Sequence, residues 1–132
     1  MSRRVLWLAP TIVSTVLLLL FSTGPVAATS GHLFGAIAVE KPTLSYGWAD
    51  GYGKASSAKH WALKECRKHA TNPSDCTVMV TVEDGCAAVA YKNTPTGHKF
   101  GTGVAATRKA AEKASLKAVG KGAHGLAWVC SS

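Results

Sequence analysis

The sequence predicts an α+β domain in which two ββαβ repeats form a mainly antiparallel sheet with two helices packed on one face. Three observations carry this reading. The stretch Cys76 to Tyr91, CTVMVTVEDGCAAVAY, alternates residues on both sides of Asp84-Gly85, a dipeptide that accepts the positive φ angles of a type I′ turn. The chain can also be laid upon itself: Ala36-Ile37-Ala38 matches Ala88-Val89-Ala90, Gly51-x-Gly53 resembles Gly101-x-Gly103, and Ala58 and Leu63 match Ala111 and Leu116. Finally, all four cysteines, Cys66, Cys76, Cys86 and Cys130, fall within the duplicated part, as expected of a small domain that gains from cross-links.

Residues 1–28 have the three parts of a secretory signal: Arg3 and Arg4, an apolar run ending at Phe21, and Val26-Ala27-Ala28 as a small-residue cleavage site. Pro10 interrupts the run, which is short for a span of about 20 residues, so a cleaved signal fits better than a retained anchor. Residues 29–33 read as a flexible lead-in, and residues 34–132 as one disulfide-stapled domain with repeats at about 34–83 and 86–130. The formal net charge is +8, and loss of Arg3 and Arg4 with the signal leaves about +6.

In the first repeat a small-residue strand at Ala36-Ile37-Ala38 leads to an aromatic strand at Tyr46-Gly47-Trp48. A helix over Ser57–His69 follows, with Ala58, Ala62 and Cys66 inward and Leu63 at the edge of the stripe, and Asn72-Pro73 stops it. In the second repeat the Cys86–Tyr91 strand turns at an exposed loop, Asn93-Thr94-Pro95-Thr96-Gly97, into the strand of Lys99-Phe100-Gly101. Thr107 is the N-cap of a helix ending at Val119, with Ala111, Ala114, Ala118 and Val119 inward and Gly120 as the stop. Both stripes are built of small residues, so the bulk of the core falls to Ile37, Trp48, Val78, Val80, Val89 and Val129. With a two-residue turn at Asp84-Gly85, Val82 faces Ala87, Val80 faces Val89 and Val78 faces Tyr91, giving a valine face for the helices. Met79, Ala88, Ala90 and Trp128 lie on the other face, where the sheet curls or a second copy of the chain covers it.

Strand parity bears on the cysteines. Cys66 is on an inward stripe and Cys76 shares the parity of Val78 and Val80, which favours Cys66 with Cys76 and Cys86 with Cys130 among the three pairings open to four cysteines.

The pattern FGAIAV near the start, Ala62-Leu63-Lys64-Glu65-Cys66, the Val-rich segment after Cys76, GCAAVAY and the terminal Ala127-Trp128-Val129-Cys130 resembles a family of small exported proteins of mycobacteria and related bacteria. That family is catalogued as a domain of unknown function, with a "GAIA" strand and two disulfides. The resemblance spans Phe34 to Cys130 and implies a secreted or cell-envelope protein, some of whose relatives are discussed as host-directed factors. It supplies no catalytic residue. Phe34-Gly35 stands where Tyr-Gly is common, and this chain is richer in lysine than the resemblance leads one to expect.

The most distinctive feature outside the core is Lys109, Lys113, Lys117 and Lys121 at successive i+4 steps, echoed one repeat earlier by His60, Lys64 and Lys68 with Arg67 beside them. Like charges at this spacing cost a helix roughly 0.2–0.5 kcal/mol per pair, which points to an anion-binding surface shared by the two helices. A solvated helix face is the bland alternative. Acidic lipid, anionic wall polymer, nucleic acid and acidic protein all meet the charge criterion, though no nucleic-acid motif is present.

Other constellations carry less. Gly101-Thr102-Gly103-Val104-Ala105-Ala106 spells a dinucleotide fingerprint, but the preceding strand is short and no acid stands about twenty residues later, so these glycines and Gly51 and Gly53 read as turn glycines. Cys66, His69, Cys76 and Cys86 have irregular spacing for zinc, and an exported chain puts its cysteines into disulfides. Asp50, His60 and His98 lack a nucleophile motif or a paired carboxylate. The expectation is a non-enzymatic secreted or envelope binding protein without cofactor or metal. The competing classes are an effector or immunity-type protein that binds one specific protein, and a small exported hydrolase.

Overall fold

The computed structural model describes residues 31–132, and the signal-peptide reading of residues 1–28 lies outside them. Strands β1 (Phe34–Glu40) and β2 (Ser45–Tyr52), helix α1 (Ala55–His69) and strand β3 (Cys76–Glu83) make the first repeat, with a 3-10 turn over Pro73–Asp75 after the helix. Strands β4 (Gly85–Thr94) and β5 (Gly97–Ala105), helix α2 (Arg108–Val119) and strand β6 (His124–Ser131) make the second. The ββαβ unit thus occurs twice.

Each repeat keeps its strands to itself. β1 lies between β2 and β3, β4 lies between β5 and β6, and all four pairings are antiparallel. The expected hairpin across Asp84-Gly85 therefore does not form. Asp84 adopts the positive φ that the dipeptide suggested, at 46°, but there the chain crosses from one three-stranded sheet to the other. Val82, Ala87 and Val89 do share a core, facing one another across two stacked sheets rather than side by side in one.

This arrangement also moves the helices. Ile37, Val39, Val82, Ala87, Val89, Ala127 and Val129 fill the space between the sheets, and the small residues on the opposite faces meet the helices. Ala36, Ala38 and Ala49 pack on Ala58, Ala62 and Cys66 of α1, while Cys86 and Ala88 pack on Ala111 of α2. The layer order is α1, first sheet, second sheet, α2, so the helices lie on opposite outer sides, not together on a valine face. The physical reason is volume: Val and Ile fill the gap of about 10 Å between sheets, and Ala lets a helix approach closely.

Two equivalent bulges tune the register. Ile37 pairs with Val80 and Ala38 with Val78, leaving Met79 extra; Val89 pairs with Ala127 and Ala90 with Gly125, leaving Leu126 extra. Each bulge reverses the strand's parity, which lets Cys76 face α1 while Val80 and Val82 face the other sheet.

Helix α1 begins at Ala55, two residues before the expected Ser57, with no side-chain cap from Lys54, whereas the limits of α2 agree with the capping chemistry. The Thr107 side chain accepts the Ala110 amide at 3.3 Å, and Gly120 closes α2 with φ 96°. The buried stripe of α2 is Ala111, Ser115 and Val119, the same i, i+4, i+8 rule as α1; Ala114 is partly buried and Ala118 exposed, which corrects the expected stripe. The Ser115 hydroxyl is satisfied by the Glu112 carbonyl at 2.8 Å.

The disulfides join Cys66 to Cys76, fixing α1 to β3, and Cys86 to Cys130, directly paired residues of β4 and β6. The Glu40 side chain is buried at the end of β1, where it accepts the Thr71 and Asn72 amides at 2.9 and 2.6 Å and the Thr43 hydroxyl. These donors hold its carboxyl below the ordinary value, although burial opposes them. Its contribution to stability is complete above about pH 4.5 and lost as pH falls through the lower folded value. Glu40→Gln should therefore flatten the acid limb of a stability-against-pH curve measured by denaturant melts.

Candidate functional site: two basic helix crests

The site is built from the helices. On α1, burial of Ala58, Ala62 and Cys66 fixes the roll of the helix and turns His60, Lys64, Arg67 and Lys68 to solvent; on α2, burial of Ala111, Ser115 and Val119 does the same for Lys109, Lys113 and Lys117. Lys121 follows in the turn beyond Gly120 and is also exposed. At 100° per residue, the α2 lysines are centred opposite the buried stripe, so they form the crest of the helix.

The structure does not bring the two basic groups together. They lie on opposite outer layers, with both sheets between them, and so do not form the single surface expected from the repeat. The crests also differ in how their charge is held. On α1, Lys68 pairs with Glu65 at 2.5 Å and Lys64 stands over the Trp61 ring at 4.3 Å. Lys68 holds the Glu65 carboxyl below its ordinary range. Among the described residues, no carboxylate lies within ion-pair distance of Lys109, Lys113 or Lys117 on α2 or of Lys121 after it, whereas Arg108 pairs with Glu112 at 3.1 Å and stacks on Trp128 at 3.8 Å. Each crest also carries a large exposed apolar side chain: Trp61 on α1, stacked on Tyr52, and Leu116 on α2.

Sequence reasoning missed the aromatic edge of β2. Trp48, expected in the core, is 50% exposed, and Tyr46 is 40% exposed. They point to the inter-sheet side, but β2 is an edge strand that meets the second sheet only along β6, so both side chains stay part exposed. A cleft of about 600 Å³ runs between β2 and α1, lined by Leu44, Ser45, Tyr46, Gly47, Trp48, Glu65 and His69. A second, between β2 and β6, brings Tyr46, Trp48 and Asp50 near Trp128. The missing signal was edge position, which depends on which strands pair.

The residues considered for catalysis are dispersed: Asp50 is on β2, His60 on α1 and His98 on β5, where its Nδ1 is 2.9 Å from Asn93 Oδ1. All four thiols are in disulfides and offer no zinc ligand. Among the described residues, His32, Glu83 and Asp84 have donor atoms close enough to share a cation. They already satisfy one another: His32 Nδ1 lies 2.6 Å from Asp84 and 3.0 Å from Glu83, and the Leu33 amide donates to Asp84 at 2.8 Å. His32 and Leu33, assigned by sequence to a flexible lead-in, are thus tied to the junction between repeats. The Asp84 hydrogen bond, followed by the charges of Glu83 and Asp84, raises the His32 pKa above 6.5. The Leu33 amide and then His32 lower that of Asp84 below 3.8. The clasp is therefore complete between about pH 3.8 and 6.5, loosening as pH rises through the raised His32 value or falls through the lowered Asp84 value. An NMR titration should show Asp84→Asn moving the His32 midpoint down toward 6.5.

Residues 34–130 match the family described as a domain of unknown function, DUF4189. The chain belongs to that family. This DUF4189 chain is also similar to the NMR structure of Rv1813c from Mycobacterium tuberculosis, with 23% identity and a TM-score of 0.53 over 98% of this chain and 97% of that one. That likeness concerns the fold. No curated protein matches the chain. Among the described residues of the DUF4189 domain, no helix is long and apolar enough to cross a membrane.

Proposed function

We propose that this DUF4189 protein is an exported, non-enzymatic binding protein that docks on anionic lipid surfaces through its basic helix crests. The observation that carries the reading is the α2 crest: Lys109, Lys113 and Lys117 exposed in line on a helix whose opposite face is buried, followed by exposed Lys121 in the turn, none with a carboxylate within ion-pair distance among the described residues. A lysine line weakens its own helix unless an anionic partner offsets the repulsion. A convex crest suits a broad charged surface better than a small ligand. Trp61 and Leu116 beside the cations favour a bilayer interface over a soluble polyanion, because each can enter the headgroup region while the ammonium groups stay at the phosphates. Two disulfides suit an oxidising compartment.

The test uses protein recovered oxidised after export, its N-terminus read by mass spectrometry, with vesicles of equimolar phosphatidylcholine and phosphatidylglycerol. Partitioning should be strong at low salt and fall steeply as salt rises. At about 1 kcal/mol per lysine near such a surface, Lys64→Glu/Lys68→Glu/Lys113→Glu/Lys117→Glu should lose at least two orders of magnitude. Lys41→Glu, in the turn after β1 beside His98 and Phe100, should change it little. Equal binding to pure phosphatidylcholine, or salt-insensitive binding, would remove the reading.

A second reading, an effector or immunity-type protein with one protein partner, is favoured by the exposed Tyr46, Trp48 and Trp128 around the edge clefts. Capture of one partner that survives high salt and is lost in Trp48→Ala would support it.

A further inference from the structure

The duplication that makes the fold also makes two basic crests, and the layer order turns them away from each other. His60 and Lys64 occupy the same positions on α1 as Lys113 and Lys117 on α2, since the buried triplets Ala58, Ala62, Cys66 and Ala111, Ser115, Val119 are equivalent; Lys68, still helical, has its counterpart Lys121 in the turn after α2. With helix, sheet, sheet and helix stacked at about 10 Å per layer, the helix axes are roughly 30 Å apart. Binding through one crest leaves the other facing outward. Charge complementarity and an adjacent exposed apolar side chain, Trp61 or Leu116, hold for both crests.

We infer that a single molecule is bivalent and bridges two anionic bilayers, one against each helix. The inference rests on the lipid-surface reading above. It excludes a one-sided peripheral protein, which would bind equally well but tether nothing. It also assigns a use to the α1 crest, whose charge is partly taken up by Glu65 and Trp61 and which should therefore be the weaker arm.

The experiment separates the two claims. A supported bilayer of equimolar phosphatidylcholine and phosphatidylglycerol is coated with the exported protein and washed, and fluorescent vesicles of the same composition are then added. Protein coverage reads binding; vesicle capture reads the second arm. The unmodified protein should capture vesicles. Lys64→Glu/Lys68→Glu and Lys113→Glu/Lys117→Glu should each lose roughly 30-fold in capture when compared at equal coverage, the effect of about 1 kcal/mol per lysine on one arm. Lys41→Glu, in the turn after β1, should capture as the unmodified protein does.

No coverage at all would overturn the lipid-surface reading itself. Coverage without capture would leave that reading standing and overturn bivalency. Capture that persists in both single-crest variants would also overturn it, because a self-associated protein could tether with one crest per copy. Binding to a soluble polyphosphate chain but not to the bilayer would replace a membrane with a linear polyanion as the partner and overturn bridging of bilayers.

Discussion

Gly47→Ala is expected to cost the domain about 3 kcal/mol or more, and Gly103→Ala a similar amount. A methyl group on Gly47 would lie 2.1 Å from the Cys66 amide nitrogen and 2.5 Å from the Ala62 carbonyl oxygen; one on Gly103 would lie 2.3 Å from the Ala111 carbonyl oxygen and 2.5 Å from the Ser115 nitrogen. These atoms belong to helix backbones and cannot rotate away. Accommodation must lift α1 off the first sheet or α2 off the second, opening gaps along interfaces built from alanine. The control is Gly53→Ala, where no atom lies within 4 Å; its effect should stay within about 0.5–1 kcal/mol of zero, with stabilisation the expected sign. Chemical denaturation of the three oxidised variants decides the matter. A Gly47→Ala protein as stable as Gly53→Ala would overturn the close seating of α1 on β2.

The same glycines show where the sequence could be read and where it could not. Spacing alone pairs Gly101-x-Gly103 with Gly51-x-Gly53. The strand registers give a different answer. Gly47 lies opposite Ala38 and Gly101 opposite the equivalent Ala90, so Gly47 and Gly101 correspond; Gly103 corresponds to Ala49. Gly101 and Gly103 are strand residues under a helix rather than turn residues, and Gly51, with φ 73°, is also a strand residue, at the bulge near the end of β2. Local signals were legible because they are short-range: the Thr107 cap, the Gly120 stop, the Ala58–Ala62–Cys66 stripe and a reversal within Asn93–Gly97, which tightens to Pro95-Thr96, all depend on residues a few positions apart. Partner choice between strands was not, since Val80 and Val82 alternate as well for a hairpin as for a stacked sheet. The decision is made by β1 and β4, each of which takes both neighbours from its own repeat. That choice exposed Trp48 and set the crests on opposite sides, so the cations were legible one helix at a time and their relation was not.

Removing the Cys86–Cys130 bridge as a pair of alanines is expected to cost about 4 kcal/mol, and removing Cys66–Cys76 about 3 kcal/mol, the difference following from loop closure. The separations are 44 and 10 residues, so the first bridge removes more freedom from the unfolded chain. The local consequences should differ as well. Cys66–Cys76 is the covalent link between α1 and its sheet, so its loss should raise amide exchange in α1 first; Cys86–Cys130 joins strands already in register, so its loss should lower stability without singling out one element. A domain of about 100 residues has roughly 5–15 kcal/mol of total stability, and losing both bridges removes about 7 of these. Full reduction should leave the chain unfolded or close to its midpoint without denaturant, as read by circular dichroism, and a reducing compartment should yield little compact protein. If the reduced chain keeps its melting profile, or the shorter loop proves the more costly to open, the bridges are incidental to a fold that its two alanine-faced helices hold by themselves.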